Sequence, residues 1–206
     1  MLRSIYRPVG RQPMQRSDII QAAAQIFRLK GYHATSMQDI ADAVHLQKAS
    51  LYHHVQNKQD ILVSILDQAL DLVIADMETV LASPAPSQDK LASAVQVYVR
   101  HLVDQRDLAA VLLYEYRSLD SRRRARHLAR RDRFEGLWRS LLEQGVLQGA
   151  FRPLDVPIAA SAFLGVMNGM LAWYREAGRL SPDEITDAFT ELFLRGIQPP
   201  AASRRP

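Results

Sequence analysis

Between Ser17 and Val55 the chain carries three short segments with apolar residues at helical spacing, joined by connectors of only a few residues. None is long enough to bury its apolar face alone, so the three must pack on one another. Ile19, Ile20, Ala23, Ile26 and Phe27 recur at three- and four-residue steps over Asp18–Lys30, with Ser17 able to cap the start and Gly31 placed to end it. Met37, Ile40, Ala41 and Val44 form the inner face of a second helix, Met37–Val44, behind a Ser36 cap. After a break at His45–Leu46 a third helix is expected from Gln47 to about Val55. It turns Leu51 and Val55 inward and Lys48, Ser50, Tyr52 and His53 elsewhere. A short second helix, a tight turn and a short polar third helix have the pattern of a helix-turn-helix, which lays its second helix in the major groove of DNA. An ordinary helical hairpin satisfies the same spacing.

Charge favours the first reading. Residues 1–60 hold eight Lys/Arg against four acids, which equals the whole formal excess of +4. Arg3, Arg7 and Arg11 form a loose basic arm ahead of the first helix, with Arg16 at its edge. A second basic run, Arg122 to Arg133, lies mid-chain. Basic character by itself fits anionic lipid, anionic metabolites or simple solubility equally well.

The rest of the chain also reads as helix. Asn57 can cap a long segment from Lys58 to about Leu81, and Ser83–Ser87 (SPAPS) is the clearest breaker in the sequence. Helices follow over Leu91–Val103, Leu108 to about Leu119, Arg122–Leu147, Asp155–Arg175 and Pro182 to about Arg195. Ser181 and Glu184 give the last one a capping box. No β alternation of useful length occurs. The expected architecture is all-α: a three-helix head over residues 16–60, a larger helical bundle over 61–196 for ligand binding and dimerisation, and flexible tails at 1–15 and 197–206. The first residues have no secretory apolar region, so a cytoplasmic protein is expected. Val156–Tyr174 is uncharged for 19 residues. Its Ser161, Asn168, Gly165 and Gly169 dilute its hydrophobicity, and it reads as a helix buried on all sides in a soluble assembly, without membrane contact.

Several functions are excluded. With no cysteine, disulfides, Cys-ligated zinc and a thiol nucleophile are ruled out. The six histidines show no metal-ligand spacing; adjacent His53 and His54 point apart on a helix. Phosphate-cradling glycine loops, a nucleophile elbow and a triad order are all lacking. No enzymatic activity, no metal and no cofactor are expected.

The segment DIADAVHLQKASLYHHVQNKQDIL, Asp39–Leu62, with the preceding IIQAAAQIFRLKGYHATSMQ, resembles the signature of TetR-type transcriptional regulators. The resemblance implies a dimeric all-helical protein with a DNA-binding head and an effector-binding bundle. Carried over position by position, Leu46 and Leu51 pack the motif, Lys48, Ser50, Tyr52 and His53 face DNA, and Lys58 touches a phosphate; Arg11 and Arg16 join them from upstream. His45 stands where Gly is usual, Gln47 where a Ser cap is usual, and Val55 where an aromatic is common. Leu112–Arg124, Arg130–Asp155 and Gly165–Gly196 resemble the branch that represses fatty-acid or steroid degradation and is released by an acyl-CoA. In that branch the acyl part enters the bundle and the CoA phosphates meet basic side chains.

Candidate effector residues are Tyr98, Leu102, Leu113, Tyr116, Trp138, Met167, Met170 and Tyr174, with Asn168 a polar group in need of a partner. Each is equally readable as plain core. Arg123, Arg126 and Arg130 have the i, i+3 and i+4 spacing of a phosphate clamp, or of a solvated face with acids nearby. Small residues, Gly165 and Gly169 above all, would let a second copy approach, with Phe189, Leu192 and Phe193 filling the seam. Such a homodimer would place two recognition helices on an inverted-repeat operator in double-stranded DNA, with a hydrophobic effector, an acyl-CoA by resemblance, as the third partner. The competing class is a helical adaptor or membrane-associated scaffold that binds protein or anionic lipid.

Overall fold

The computed structural model describes residues 15–199, and among them there are nine α-helices and no strand. They are α1 (Arg16–Lys30), α2 (Met37–Ala43), α3 (Lys48–Leu51), α4 (Lys58–Ala82), α5 (Ser87–Asp104), α6 (Arg106–Tyr114), α7 (Ser121–Leu147), α8 (Val156–Trp173) and α9 (Pro182–Ile197), with a 3₁₀ turn at Tyr116–Ser118. The all-α expectation holds, with local corrections. α1 starts earlier than expected and Gln15, not Ser17, is its N-cap; the Gln15 N–H donates to the Asp18 carboxylate at 2.9 Å. α3 is a single turn that does not reach Val55. Past Leu51 the chain tightens, His53 N–H donating to Ser50 O at 3.2 Å and His54 N–H to Leu51 O at 3.0 Å. These three-residue steps close the helix before Asn57 caps α4 through Asp60 N–H at 3.0 Å.

The turn between α2 and α3 shows why the unusual residues there are tolerated. His45 sits at φ 57°, the left-handed region where Gly is ordinary. Leu46 N–H reaches back to Ala41 O at 2.9 Å, which satisfies a carbonyl at the α2 end. At the other end of α2, Asp39 N–H donates to Ser36 Oγ (3.1 Å) and Ser36 N–H to Asp39 Oδ2 (2.7 Å), a reciprocal cap. Lys30 Nζ donates to the other Asp39 oxygen at 2.8 Å. The Lys30 bond first, and then those from Ser36, hold the Asp39 carboxyl well below the usual carboxylate range. A group depressed in this way favours the fold above its ordinary value, and the contribution is lost as pH falls through the folded value. Ser36→Ala should therefore destabilise the protein by about 1 kcal/mol. The gap between thermal melts of wild type and variant should narrow as acid protonates Asp39, leaving the part due to the lost Asp39 N–H bond to Ser36 Oγ.

The chain forms two compact units. One runs to Ala69 and takes in Asp107–Leu128; the other comprises Leu70–Arg106 and the chain from Ala129 onward. The first unit therefore includes α6 and the start of α7, which the sequence reading grouped with the bundle. Its core has Ile19, Phe27, Ile40, Leu51, Ile61 and Ile65 fully buried, with Leu108, Val111 and Leu119 joining the same cluster. Phe27 meets Tyr32 edge-on at 5.2 Å.

In the second unit α5 packs along α9 and against α8. Trp138, Leu141, Leu142, Phe151 and Met167 are fully or almost fully buried. Gly145 is obligatory there, because a Cβ would fall 2.0 Å from the Phe151 ring. Within its own chain α8 buries one face only, Ala160, Phe163, Met167 and Met170, and exposes Ile158, Val166 and Trp173. By length and composition α8 is apolar enough to cross a membrane, and it is the one described helix that is.

Candidate functional site

The outer side of the α3 turn is a polar row. Lys48, Tyr52 and His53 are exposed and Ser50 is half-buried, while Leu51 and Val55 are buried beneath them. The segment 48–55 is thus anchored by two apolar side chains and presents a cation, a phenol and an imidazole outward. These groups can donate to phosphate oxygens and base edges. Arg16 lies at the start of α1 and donates to Ser64 Oγ at 2.5 Å. Arg11 lies outside the described residues, as do Arg3 and Arg7.

Lys58 is placed differently from the other cations. Its Nζ donates to Tyr32 O at 2.9 Å and Thr35 O at 2.6 Å, and lies 4.4 Å from the centre of the Tyr32 ring. Two of the three ammonium donors thus hold the connector between α1 and α2, whose Thr35 Oγ1 donates to Gly31 O at 2.8 Å. Lys58→Met should weaken operator binding without altering its salt dependence, because Lys58 acts on the head through its carbonyl partners. Lys48→Ala, by contrast, should lower the salt slope by roughly one. Filter-binding titrations across a salt series separate the two outcomes.

The next two residues of α4 reach elsewhere in the same unit. Gln59 Nε2 donates to Ser118 O at 2.7 Å and its Oε1 accepts from Asp120 N–H at 3.4 Å. Gln59 also bonds the Tyr32 phenol, which burial pushes above its ordinary pKa. Asp60 accepts from Arg123 Nη2 at 2.8 Å, and Arg123 Nη1 donates to Asp120 Oδ2 at 2.6 Å. His33 Nε2 lies 3.1 Å from Ser118 Oγ. One turn of α4 therefore ties the α1–α2 connector, the 3₁₀ turn and the start of α7. The sequence reading missed Gln59, whose partners Ser118 and Asp120 lie 59 and 61 positions away; no local spacing marks it.

The effector candidates fall into two groups. Tyr98, Leu102, Trp138, Met167, Met170 and Tyr174 are buried in the second unit. Tyr98 OH donates to Asn168 Oδ1 at 2.6 Å, which gives Asn168 a partner within the chain. The Tyr98 ring stacks on Phe134 at 5.5 Å and meets Trp138 edge-on at 6.1 Å, and burial raises the phenol pKa. The Trp138 indole N–H, fully buried, has no hydrogen-bond acceptor. Leu113 and Tyr116 belong to the first unit, where both are half-buried. Tyr116 packs on the head core and lies 5.8 Å from the His127 ring.

All three clamp candidates hold carboxylates of α4. Arg123 pairs with Asp60, Arg126 with Asp67 at 2.9 Å, and, in the second unit, Arg130 with Asp71. Arg133 continues the series to Glu78 at 2.6 Å. Beside the first two pairs lies a cavity of about 230 Å³, lined by Asp60, Val63, Asp67, Leu119, Arg123 and Arg126 among others. Among the described residues no cluster of metal-ligating side chains occurs.

Of the seam candidates, Gly165, Gly169 and Leu192 are exposed, Phe189 is half-buried, and Phe193 is buried in its own chain. Phe193 stacks on Phe163 at 3.9 Å and on Phe189 at 6.0 Å, so it supports the face from behind.

Residues 19–72 match the bacterial regulatory proteins of the tetR family, and residues 84–197 match the tetracyclin repressor-like C-terminal domain. The HTH-type transcriptional repressor KstR2 of Rhodococcus jostii is 28% identical over 188 residues, covering 90% of this chain and 92% of that protein. The crystal structure of the TetR family transcriptional regulator PfmR from Thermus thermophilus superposes with a TM-score of 0.80 at 36% identity, covering 86% of this chain and 97% of that one. The structure of AibR in complex with isovaleryl coenzyme A and operator DNA superposes with a TM-score of 0.79 at 29% identity, over 87% of this chain and 97% of that one.

Proposed function

The chain belongs to the TetR family of ligand-responsive DNA-binding regulators, and from that premise we propose that it is a cytoplasmic homodimeric repressor, held on an inverted-repeat operator until an acyl-CoA thioester binds. Family membership leaves the helical-adaptor alternative without support. The observation that carries the DNA half is the exposed row Lys48, Tyr52 and His53, with Ser50 beside it, on the α3 turn and the residues just after it, a segment anchored by buried Leu51 and Val55. Phosphate contacts from Lys48 and Tyr52 set the register, and Ser50 and His53 lie nearer the base edges.

The effector half rests on two features. The second unit has a core of Tyr98, Leu102, Trp138, Met167 and Met170, apolar with adaptable Met side chains, which suits an acyl chain. Arg123, Arg126 and Arg130 on α7 suit phosphates. The relatives agree in kind: KstR2 is a repressor, and AibR was crystallised with isovaleryl coenzyme A and operator DNA. In this reading the head occupies residues 16–60, and 61–196 bind effector and form the dimer through Gly165, Gly169, Phe189, Leu192 and Phe193.

The test is calorimetric titration of the full-length protein with isovaleryl-CoA and decanoyl-CoA, set against isovaleric and decanoic acid. The thioesters should bind and the acids should bind far more weakly. Equal binding of acids and thioesters contradicts the CoA assignment and returns the arginine run to a solvated, ion-paired face.

A further inference from the structure

Resting on the acyl-CoA reading above, we propose that the indole N–H of Trp138 is a specificity-determining donor, and that the effector carries a ketone oxygen in its acyl part, beyond the thioester, which this N–H recognises. Trp138 is fully buried in the second unit, and its Nε1 has no acceptor among the described residues. An indole nitrogen only donates, so nothing but an acceptor atom satisfies it. A buried donor left unpaired is a cost that a phenyl ring at the same place would not carry.

The other polar groups of this core are already matched. Tyr98 meets the Trp138 ring edge-on at 6.1 Å, and its hydroxyl gives its one proton to Asn168 Oδ1 at 2.6 Å. Leu102, Phe134, Met167 and Met170, buried in the same unit, have no side-chain oxygen to offer. The next residue, Arg139, also has an unpartnered Nε, but its side chain is 43% exposed and its guanidinium holds Glu135 at 2.5 Å. Trp138 differs in being neutral, fully enclosed and bonded through no other atom.

A ligand atom reaches the indole only by entering this core. Met167 and Met170 lie on the buried face of α8, one on either side of Asn168 in the chain. Unbranched thioether side chains repack readily, so an acyl chain can take space that they fill. A saturated chain would then cover the N–H without bonding it. A ketone oxygen at that depth gives the N–H its acceptor and gains the donor that its own burial requires.

The experiment titrates the full-length wild type and Trp138→Phe with decanoyl-CoA and with two mono-oxo derivatives of it, one with the ketone at mid-chain and one with the ketone next to the far end. In wild type at least one oxo thioester should bind about tenfold more tightly than decanoyl-CoA, and Trp138→Phe should abolish or reverse that ratio. The ratio is the readout, because packing lost with the smaller ring affects both ligands and cancels. A wild-type measurement gives the answer if Trp138→Phe folds poorly. The indole N–H proton signal of Trp138, told apart from that of the other tryptophan by Trp173→Phe, should move further downfield with the favoured oxo thioester than with decanoyl-CoA. If decanoyl-CoA binds and neither ketone improves on it, if the preference survives Trp138→Phe, or if the indole signal moves alike with both ligands, the donor proposal is wrong while the acyl-CoA reading stands. If no thioester binds wild type, the acyl-CoA reading is wrong and takes the proposal with it.

Discussion

Arginine in place of Gly169 should leave each chain folded, convert the protein from dimer to monomer at low micromolar concentration, and weaken operator binding by about two orders of magnitude or more. A Cβ built at Gly169, or at Gly165, meets nothing within 4 Å in its own chain, and both positions are exposed. The substitution therefore strains nothing internally, and replacing an exposed helix glycine favours the helix by up to about 1 kcal/mol. What it does affect is the outer face of α8, where Ile158, Val166 and Trp173 stand exposed on a helix without a single charged residue. A face of that kind is covered by a partner, and the family's fold dimerises. A guanidinium forced into an apolar seam is costly to bury. Sedimentation should shift from about twice 23.3 kDa to a single chain. Operator affinity falls because the second head is no longer bound at high effective concentration. A variant that remains dimeric would place the seam elsewhere.

Phe27→Ala should destabilise the head by about 3–5 kcal/mol. Phe27 is fully buried among Ile19, Ile40, Ile61 and Ile65, with Tyr32 edge-on at 5.2 Å. Truncation leaves a ring-sized cavity among residues held by opposing helices, which cannot collapse into it without moving α3. Since α3 itself is one turn long, it has no helical stability to fall back on. Circular dichroism melts should show an early transition, and specific DNA binding should be lost at 37 °C while the dimer persists in sedimentation. Wild-type operator affinity in this variant would mean that the recognition helix does not depend on this core.

What could be read from the sequence was local. Ser36, Asn57 and the Ser181–Glu184 pair mark helix starts because a side chain meets a backbone N–H only three residues away. SPAPS marks a stop for the same kind of reason. Errors arose where a local signal had a closer competitor, as with Gln15 outranking Ser17 at α1, or where the helix period continued past the real end, as at α3. The site was harder to read. The arginine spacing on α7 was visible, but its acids lie 55 to 63 positions away on α4. Likewise the carbonyls that Lys58 grips, 23 and 26 positions upstream, leave no trace in residue type. Periodicity shows that α8 is apolar; it does not show that only one face is covered by its own chain.

The most direct measurement of the whole account is reciprocal linkage between operator and thioester. Operator affinity is measured by fluorescence anisotropy on an inverted-repeat duplex with and without saturating decanoyl-CoA, and decanoyl-CoA affinity is measured by calorimetry with and without saturating duplex. The account predicts that each weakens the other by the same factor, tenfold or more, a coupling of at least about 1.4 kcal/mol. Thioester binding that leaves operator affinity unchanged would contradict it.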